Sequence, residues 1–599
     1  MIYHCEDYTC NYWDEGEKLP ERCPQCGRKL LRANEADMTG DDWTALGNTL
    51  WDAEASDKKR MVDCFRKAAY LGSAWGVCNL GICMEQGNGV EADPVQAFWL
   101  YQQAVEMGSL NAVCCLGVCY QYGIGTAPDA EKAAELYCKA AEYGSPRGQM
   151  LLAHAFHDGI GVEADAAEAV YWVRAAAYQR YGEGMHWLGV CYACGDGVEQ
   201  NWEHAVHWFR EAAESGVSAA MTDLGYCYEK GCGVEQSWEQ AFSWYRRGAE
   251  CGYPVSMSNL GLCYKRGYGV EQNWQEAIKW YERGAQCGSL QSMHNLACCY
   301  ERGEGVEQNE DRAFYWYRRS AEGGNGDAMC NLGRCYKRGY GVEQNWQEAI
   351  KWYEQGAQCG NLQSMHNLAC CYERGEGVEQ NWQEAIRWYT AAAEGGNAAD
   401  MYNLGWHYDH GEGVEQDMKK AICWYERAAE QNYPAAMNSL GECYAMGRGV
   451  PRDLETAMEW YRRAAELGEA MADYNMGWHL EQAGKLSEAY AHYRKAADGN
   501  DDSAWWALGR FYENGVVVAQ DGKEARRCYE TGEKLGSVKC KMRLARCKLL
   551  GIGGRRAKKA GLDLCRQALE LAKESSEKED YGYEAEMNLL RRTIAENES

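Results

Sequence analysis

Proline is scarce in this chain, 8 residues in 599, so no proline-rich linker cuts it into separate domains. A basic surplus is missing as well: 62 Lys and Arg stand against 89 Asp and Glu, a formal net charge of -27. That balance argues against a nucleic-acid polyanion or an anionic membrane surface as the main partner, because like charges would have to be brought together. No apolar run approaches the roughly 18 residues of a membrane helix. The first residues, MIYHCEDYTC, lack the basic start and apolar stretch of an export signal, so the expected location is cytoplasmic. With 31 cysteines, an odd number, and no export signal, the expectation is reduced thiols rather than a disulfide framework.

Glycine, in contrast, is abundant at 67 residues, and its spacing is regular. Taking the Gly or Ala of an "NLG"-like element as a marker, it recurs at Gly81, Gly117, Ala153, Gly189, Gly225, Gly261, Ala297, Gly333, Ala369, Gly405, Gly441 and Gly477, always 36 residues apart. The register extends to Gly47 upstream and to Gly509 and Ala545 downstream, about fifteen units in all. The sequence GxCYKRGYGVEQNWQEAIKW occurs twice, 72 residues apart, as if a two-unit block had been copied in register.

Each unit reads as two helices. In PVSMSNLGLCYKR, Met257, Leu260, Cys263 and Tyr264 share one apolar face. A GxG break follows, and twelve residues past the marker stands a capping residue: Asp93, Asp129, Asp165, Asn201, Ser237, Asn273 and their equivalents. NWQE (Asn273 to Glu276) has the form of a capping box, and the second helix should stop at a left-handed glycine such as Gly252, Gly288 or Gly360.

The motif LGxCYxxGxGVxQNWxxAxxWYxxAAExG is similar to the Sel1-like repeat, a relative of the tetratricopeptide repeat, over roughly residues 40 to 555. The resemblance implies an all-α fold, stacked antiparallel helix pairs in a right-handed superhelical solenoid. Stacking is also what the physics requires, since a lone helix pair cannot bury its apolar face. At about 10 Å per layer the array would extend on the order of 100 Å. Some Sel1-like proteins are secreted and link units through cysteines eight residues apart. Here Asn295 and Asn367 stand eight residues after Cys287 and Cys359, so that framework is absent.

Ahead of the repeats lie Cys5, Cys10, Cys23 and Cys26, spaced C-x4-C and C-x2-C. PERCPQCG resembles a zinc-ribbon or rubredoxin-like knuckle, in which two thiolates two residues apart hold one metal. The first half departs from that family's C-x2-C. The expected cofactor is a structural tetrathiolate zinc, with iron as the alternative and His4 as a possible substitute for Cys5. The knuckle could be a cap on the first repeat or a recognition module. The expected boundaries are residues 1–32 for the zinc ribbon, 33–40 for a linker, 41–555 for the solenoid and 556–599 for C-terminal capping helices.

The recurrent GxG lacks the flanking residues of a phosphate loop and reads as turn geometry. The cysteines two past the marker (Cys83, Cys119, Cys191, Cys227, Cys263, Cys299, Cys335, Cys371, Cys443) read as buried packing residues. The Trp-Tyr pairs, such as Trp280 and Tyr281, recur at one phase and read as inter-repeat core, the tryptophans above all. His407 and His410, one helical turn apart near Asp409, suggest either a metal pair or an exposed helix end. No Ser-His-Asp or Cys-His arrangement has a recognisable context, so an enzyme is not expected.

The candidate partner-binding residues lie on the first helices. Two residues before the marker stand Asn259, Asn295, Asn331, Asn367 and Asn403, whose amides could pair with the backbone of an extended ligand or with the next layer. Lys265, Arg266, Lys337 and Arg338 lie one turn beyond, alternating with Glu301, Arg302, Glu373 and Arg374. The functional expectation is a non-catalytic scaffold for protein or peptide partners, with no nucleic acid, membrane or small-molecule substrate. The alternative is an adaptor subunit of a regulatory, signalling or degradation complex.

Overall fold

A computed structural model describes residues 2–5, 13–15, 30–33, 38–51, 55–578 and 583–598. The first described segments are three short strands, β1 (Ile2–Cys5), β2 (Trp13–Glu15) and β3 (Leu30–Ala33), in an antiparallel sheet of order β2-β1-β3. Cys5 closes β1 opposite Leu30. Cys10, Cys23 and Cys26 lie outside the described residues.

From Gly40 onward every described element is a helix. The chain divides into two compact units, residues 1–309 and 310–599. Unit 1 holds the helices from Gly40–Thr49 to Leu290–Arg302, and unit 2 those from Glu310–Glu322 to Glu584–Glu598. Within each unit, helices consecutive in sequence pack against each other, and a first helix also touches the first helix of the next repeat, as Pro254–Arg266 touches Leu290–Arg302.

The repeat around Gly261 shows why these residues fold this way. Its first helix, Pro254–Arg266, begins with proline in the first turn, where the missing N–H costs nothing, and ends at Gly267 in the left-handed conformation (φ 74°). Gly269 is also left-handed (φ 67°), and a Cβ there would stand 2.1 Å from the Trp238 carbonyl oxygen of the preceding repeat. The GxG is therefore a turn with a close backbone approach, as its sequence suggests. Gln272 of the VEQN element donates back to the Lys265 carbonyl, 2.8 Å, supplying one orphan acceptor at the helix end with a donor. Asn273 then accepts from the Glu276 N–H (3.1 Å) and starts the second helix, Trp274–Gln286. The capping box is only half formed: the Glu276 carboxylate turns outward to Lys279 instead of reaching the Asn273 N–H. An exposed carboxylate gains as much from an ammonium one turn away as from the backbone. The glycine stops Gly252, Gly288 and Gly360 are left-handed as expected (φ 87°, 85° and 81°).

The core runs between the layers. Met257, Leu260 and Cys263 are buried, and so is the whole cysteine ladder two past the marker. Burial pushes the Cys83 thiol up to about 11 and the Cys263 thiol to about 12, so these sulfurs stay protonated and inert at neutral pH. Of the Trp-Tyr pairs, it is the tyrosine that fills the core. Tyr245, Tyr281, Tyr353, Tyr425 and Tyr461 are at most 1 % exposed. The tryptophans are half-buried, and Trp244, Trp280, Trp424 and Trp460 each carry the guanidinium of the arginine three residues on, 4.2 to 4.6 Å from the ring centre. The indole seals the rim because its polar N–H and large area suit a half-wet position.

The last described helix, Glu584–Glu598, repeats the first-helix pattern. Tyr583, Met587 and Leu590 are buried at the spacing of Tyr253, Met257 and Leu260. The marker position carries exposed Arg591. Glu586 accepts from Arg543 through both Nε (2.6 Å) and Nη2 (2.7 Å), pinning this helix to Val538–Leu550.

Candidate functional site

On a first helix, the positions six and two before the marker and one and five after it fall on one face, by the 3.6-residue period. That face carries Val255, Asn259, Leu262 and Arg266 in one repeat and Met471, Asn475, Trp478 and Gln482 in another. Large apolar side chains stand exposed there in many repeats: Val255 and Leu262, and in unit 2 Met446, Met471 and Trp478, at 64 %, 49 % and 42 %.

The asparagines lie at the edge of this face, Asn79 buried and the others half-buried. Asn79 donates to Asn48 of the preceding repeat (2.8 Å), Asn367 to the Cys330 sulfur (3.3 Å), and Asn475 to both Asn438 (3.0 Å) and Glu442 (3.1 Å). Asn295 accepts from Gln291 on its own helix, 3.2 Å. Asn259, Asn331 and Asn403 occupy the same position in their repeats, each half-buried. Several of these amides are thus inter-layer ties.

The basic residues separate into two kinds. Arg266 and Arg338 are exposed on the outward face. Lys265 and Lys337 point between layers: Lys265 pairs with Glu304 of the following repeat (3.1 Å) and lies over Trp274, while Lys337 pairs with Glu376 (2.8 Å) and lies over Trp346. Their position, four past the marker, is where other repeats place the acceptor of the core tyrosine hydroxyl: Glu85 for Tyr101, Gln121 for Tyr137, Glu229 for Tyr245 and Glu513 for Tyr529.

His407 and His410 do not converge. His407 is buried, its Nδ1 3.1 Å from the Glu412 carbonyl and its ring against Trp382 and Tyr389. His410 stacks on Trp406, and Asp409 is buried in an ion pair with Arg448, 2.8 Å. Among the described residues no group of three or more His, Cys, Asp or Glu side chains could hold a metal ion. No described helix is long and apolar enough to cross a membrane.

What the sequence reading missed is the outward apolar set, Met446, Met471 and Trp478. Its signal was present in the period: these residues are out of phase with Leu440, Cys443 and Met476, which fill the core.

The family model of the Sel1 repeat matches thirteen consecutive segments, at residues 76–109, 112–145, 146–181, 182–217, 218–253, 254–289, 290–325, 326–361, 362–397, 398–433, 434–469, 470–501 and 504–537. Helix pairs continue on both sides of that span, Gly40–Thr49 with Ala55–Tyr70 and Val538–Leu550 with Lys558–Lys578. Among solved structures, a protective antigen of uropathogenic Escherichia coli strains displaying an SLR fold is 32 % identical, with 75 % of this chain and 97 % of that chain covered and a TM-score of 0.48. A Sel1 repeat protein from Oxalobacter formigenes is 33 % identical over 41 % of this chain and 96 % of its own, TM-score 0.38. An immunity protein from Pseudomonas aeruginosa is 17 % identical over 36 % and 81 %, TM-score 0.28. No curated protein sequence matches the chain.

Proposed function

The chain belongs to the Sel1 repeat family, and on that premise we propose that it is a non-catalytic scaffold that binds protein or peptide partners through the first-helix face of each unit. The observation that carries this reading is the recurrence of exposed apolar side chains on outward first-helix positions, Val255 and Leu262 in unit 1 and Met446, Met471 and Trp478 in unit 2, at the helical phase that also carries half-buried amides and exposed Arg266 and Arg338. Exposed apolar surface rimmed by polar groups marks a docking face, and the aromatic and arginine side chains are the types that anchor interfaces. An acidic chain with local arginines also suits a partner whose contact segment carries carboxylates.

For the N-terminal residues we propose a structural zinc held by Cys5, Cys10, Cys23 and Cys26. The C-x4-C and C-x2-C spacings support it, as does the strand pairing that places Cys5 at the end of β1.

The test is affinity capture of the full chain from its native cell followed by mass spectrometry, repeated with Trp478→Ala and with Arg266→Glu plus Arg338→Glu. The scaffold reading expects a stoichiometric partner that the variants lose while their melting temperature is unchanged. An empty capture, or a partner held equally by all variants, overturns it. An adaptor would differ in altering the turnover of its partner when deleted.

A further inference from the structure

His366 and Cys370 lie one turn apart on the first helix Leu362–Arg374, and the fold brings a third group to them. His366 Nε2 is 3.6 Å from Cys370 Sγ. Its Nδ1 is 2.6 Å from Asp400 Oδ1, on the first helix of the next repeat, Ala398–His410. Asp400 is fully buried, and its Oδ2 has no hydrogen-bond partner in the protein. It occupies the position five before the marker, where most repeats bury a small residue such as Gly76, Ala112, Ser256 or Ala436 and the last helix buries Glu586 against Arg543. A carboxylate at such a depth needs a cation beside it, and His366 is the one in reach. The Asn397 side chain, accepting from the Asp400 N–H, opens the helix there, so the carboxylate also sits in the favourable field of a helix start.

With the imidazole doubly protonated, Nδ1–H donates to Asp400 and Nε2–H to the sulfur. The hydrogen bond to Asp400, joined by that to Cys370, outweighs burial and lifts the His366 pKa to about 10. Burial alone would push the Cys370 thiol up. The hydrogen bonds with His366 and Tyr389 and the imidazolium charge reverse this and bring it below the ordinary thiol value. Cys371, one residue on and turned into the core, goes the other way, to about 11. Cys370 also differs in exposure: it is partly open on the outward face, at the phase of Leu262 and Trp478.

We propose that Cys370 is a nucleophilic thiolate, held by His366 and Asp400, at which low-molecular-weight disulfides modify the first-helix face. The Sγ thiolate attacks one sulfur of the disulfide, a new S–S bond forms, the old one breaks, and the departing thiolate takes a proton from water. The electron balance needs no further oxidant, since one half of the reagent is reduced as Cys370 is oxidised. Three other titratable groups bear on the sulfur and its histidine. Glu373 on the same helix opposes ionisation. Tyr389 of the second helix donates its hydroxyl to Glu373 and holds that oxygen 3.4 Å from Sγ. The His407 ring packs on Tyr389, and Lys337 of the preceding repeat, committed to Glu376, acts on the neighbouring Cys371 instead.

The experiment treats the full chain with a limiting amount of a dipyridyl disulfide at pH 6 and pH 8 and maps the mixed disulfide on each cysteine by peptide mass spectrometry. Cys287 and Cys359 are exposed comparators. The expected result is that Cys370 reacts about tenfold or more faster than either comparator at pH 6 and slows less than they do between pH 8 and pH 6, because the imidazolium beside it favours the thiolate. His366→Gln removes that advantage, and Asp400→Asn reduces it by losing the imidazolium. The wild-type comparison stands without any variant: Cys370 reacting at pH 6 no faster than Cys287 and Cys359 overturns the proposal, as does a folded His366→Gln chain that keeps the wild-type profile.

Discussion

A methyl group on Gly261 would stand 2.5 Å from Cε1 of Tyr281, because the tyrosine ring of the second helix lies flat on the backbone of the first. The same contact joins Gly81 to Tyr101, Gly225 to Tyr245, Gly441 to Tyr461 and Gly509 to Tyr529. It explains why the most regular residue of the repeat is a helical glycine, a type that otherwise weakens helices. Gly261→Ala should therefore destabilise its repeat by about 1–3 kcal/mol through overpacking. Amide hydrogen exchange over Pro254–Arg266 and Trp274–Gln286 reads this locally, which suits an array whose units need not unfold together. Ala369→Gly, where alanine already meets Tyr389, should cost only the glycine propensity of about 0.5–1 kcal/mol.

The tyrosine hydroxyls supply a second comparison. Tyr245 donates to Glu229 at 2.8 Å, while the Tyr281 hydroxyl is buried with no partner, because the residue equivalent to Glu229 is Lys265 and its ammonium is drawn to Glu304. Tyr281→Phe should be neutral or stabilising. Tyr245→Phe should cost about 1–2 kcal/mol, since it leaves a half-buried carboxylate short of a donor. Equal effects in exchange protection would show that the two hydroxyls do not differ as placed.

Lys265 and Arg266 are neighbours in sequence with separate roles. A double-mutant cycle on Lys265 and Glu304 should give a coupling of about 0.5–1 kcal/mol that weakens with salt, because the pair is half-screened by the layers around it. Arg266→Glu should leave stability unchanged and act on partner capture alone. A coupling of zero at low salt would remove the inter-layer role.

Metal content checks the N-terminal residues. The purified chain should carry one equivalent of zinc by elemental analysis, and Cys23→Ser with Cys26→Ser should remove it, because two thiolates cannot close a tetrahedral shell. Iron in place of zinc, or metal retained by the double variant, would refute the assignment.

The His366–Asp400 pair predicts a pH dependence. The folded pKa of His366, about 10, lies above its ordinary 6.5, so the pair's stabilisation is whole below pH 6.5, declines as pH rises, and is gone above about 10. The melting temperature of the wild-type chain should exceed that of His366→Gln at pH 6.5, and the gap should close by pH 10.5. A gap that widens with pH would reverse the sign.

Much of this was legible in the one-dimensional pattern, because a repeat writes its own structure fifteen times. The marker period, the left-handed glycines and the capping residues at Asn273 and its equivalents are local backbone chemistry, and the helices begin and end where those residues stand. The position of Asn259 off the apolar phase followed from the helical period alone. The capping box at Asn273 was read too fully, since a solvent-exposed Glu276 has two acceptable partners and sequence does not choose between them.

The sequence by itself determined which residues form helices and which helix faces are apolar, since caps, turns and periodicity act over a few residues. Only the tertiary structure decided which member of a pair does what: Tyr281 inside and Trp280 at the rim, Lys265 between layers and Arg266 outside. Asp400 could have been singled out as a carboxylate where the neighbouring repeats carry small residues, but His366 and Cys370 meet it only because stacking sets two first helices side by side. Those choices depend on contacts between residues 34 to 39 apart, where depth and the partner across the layer outweigh local preference.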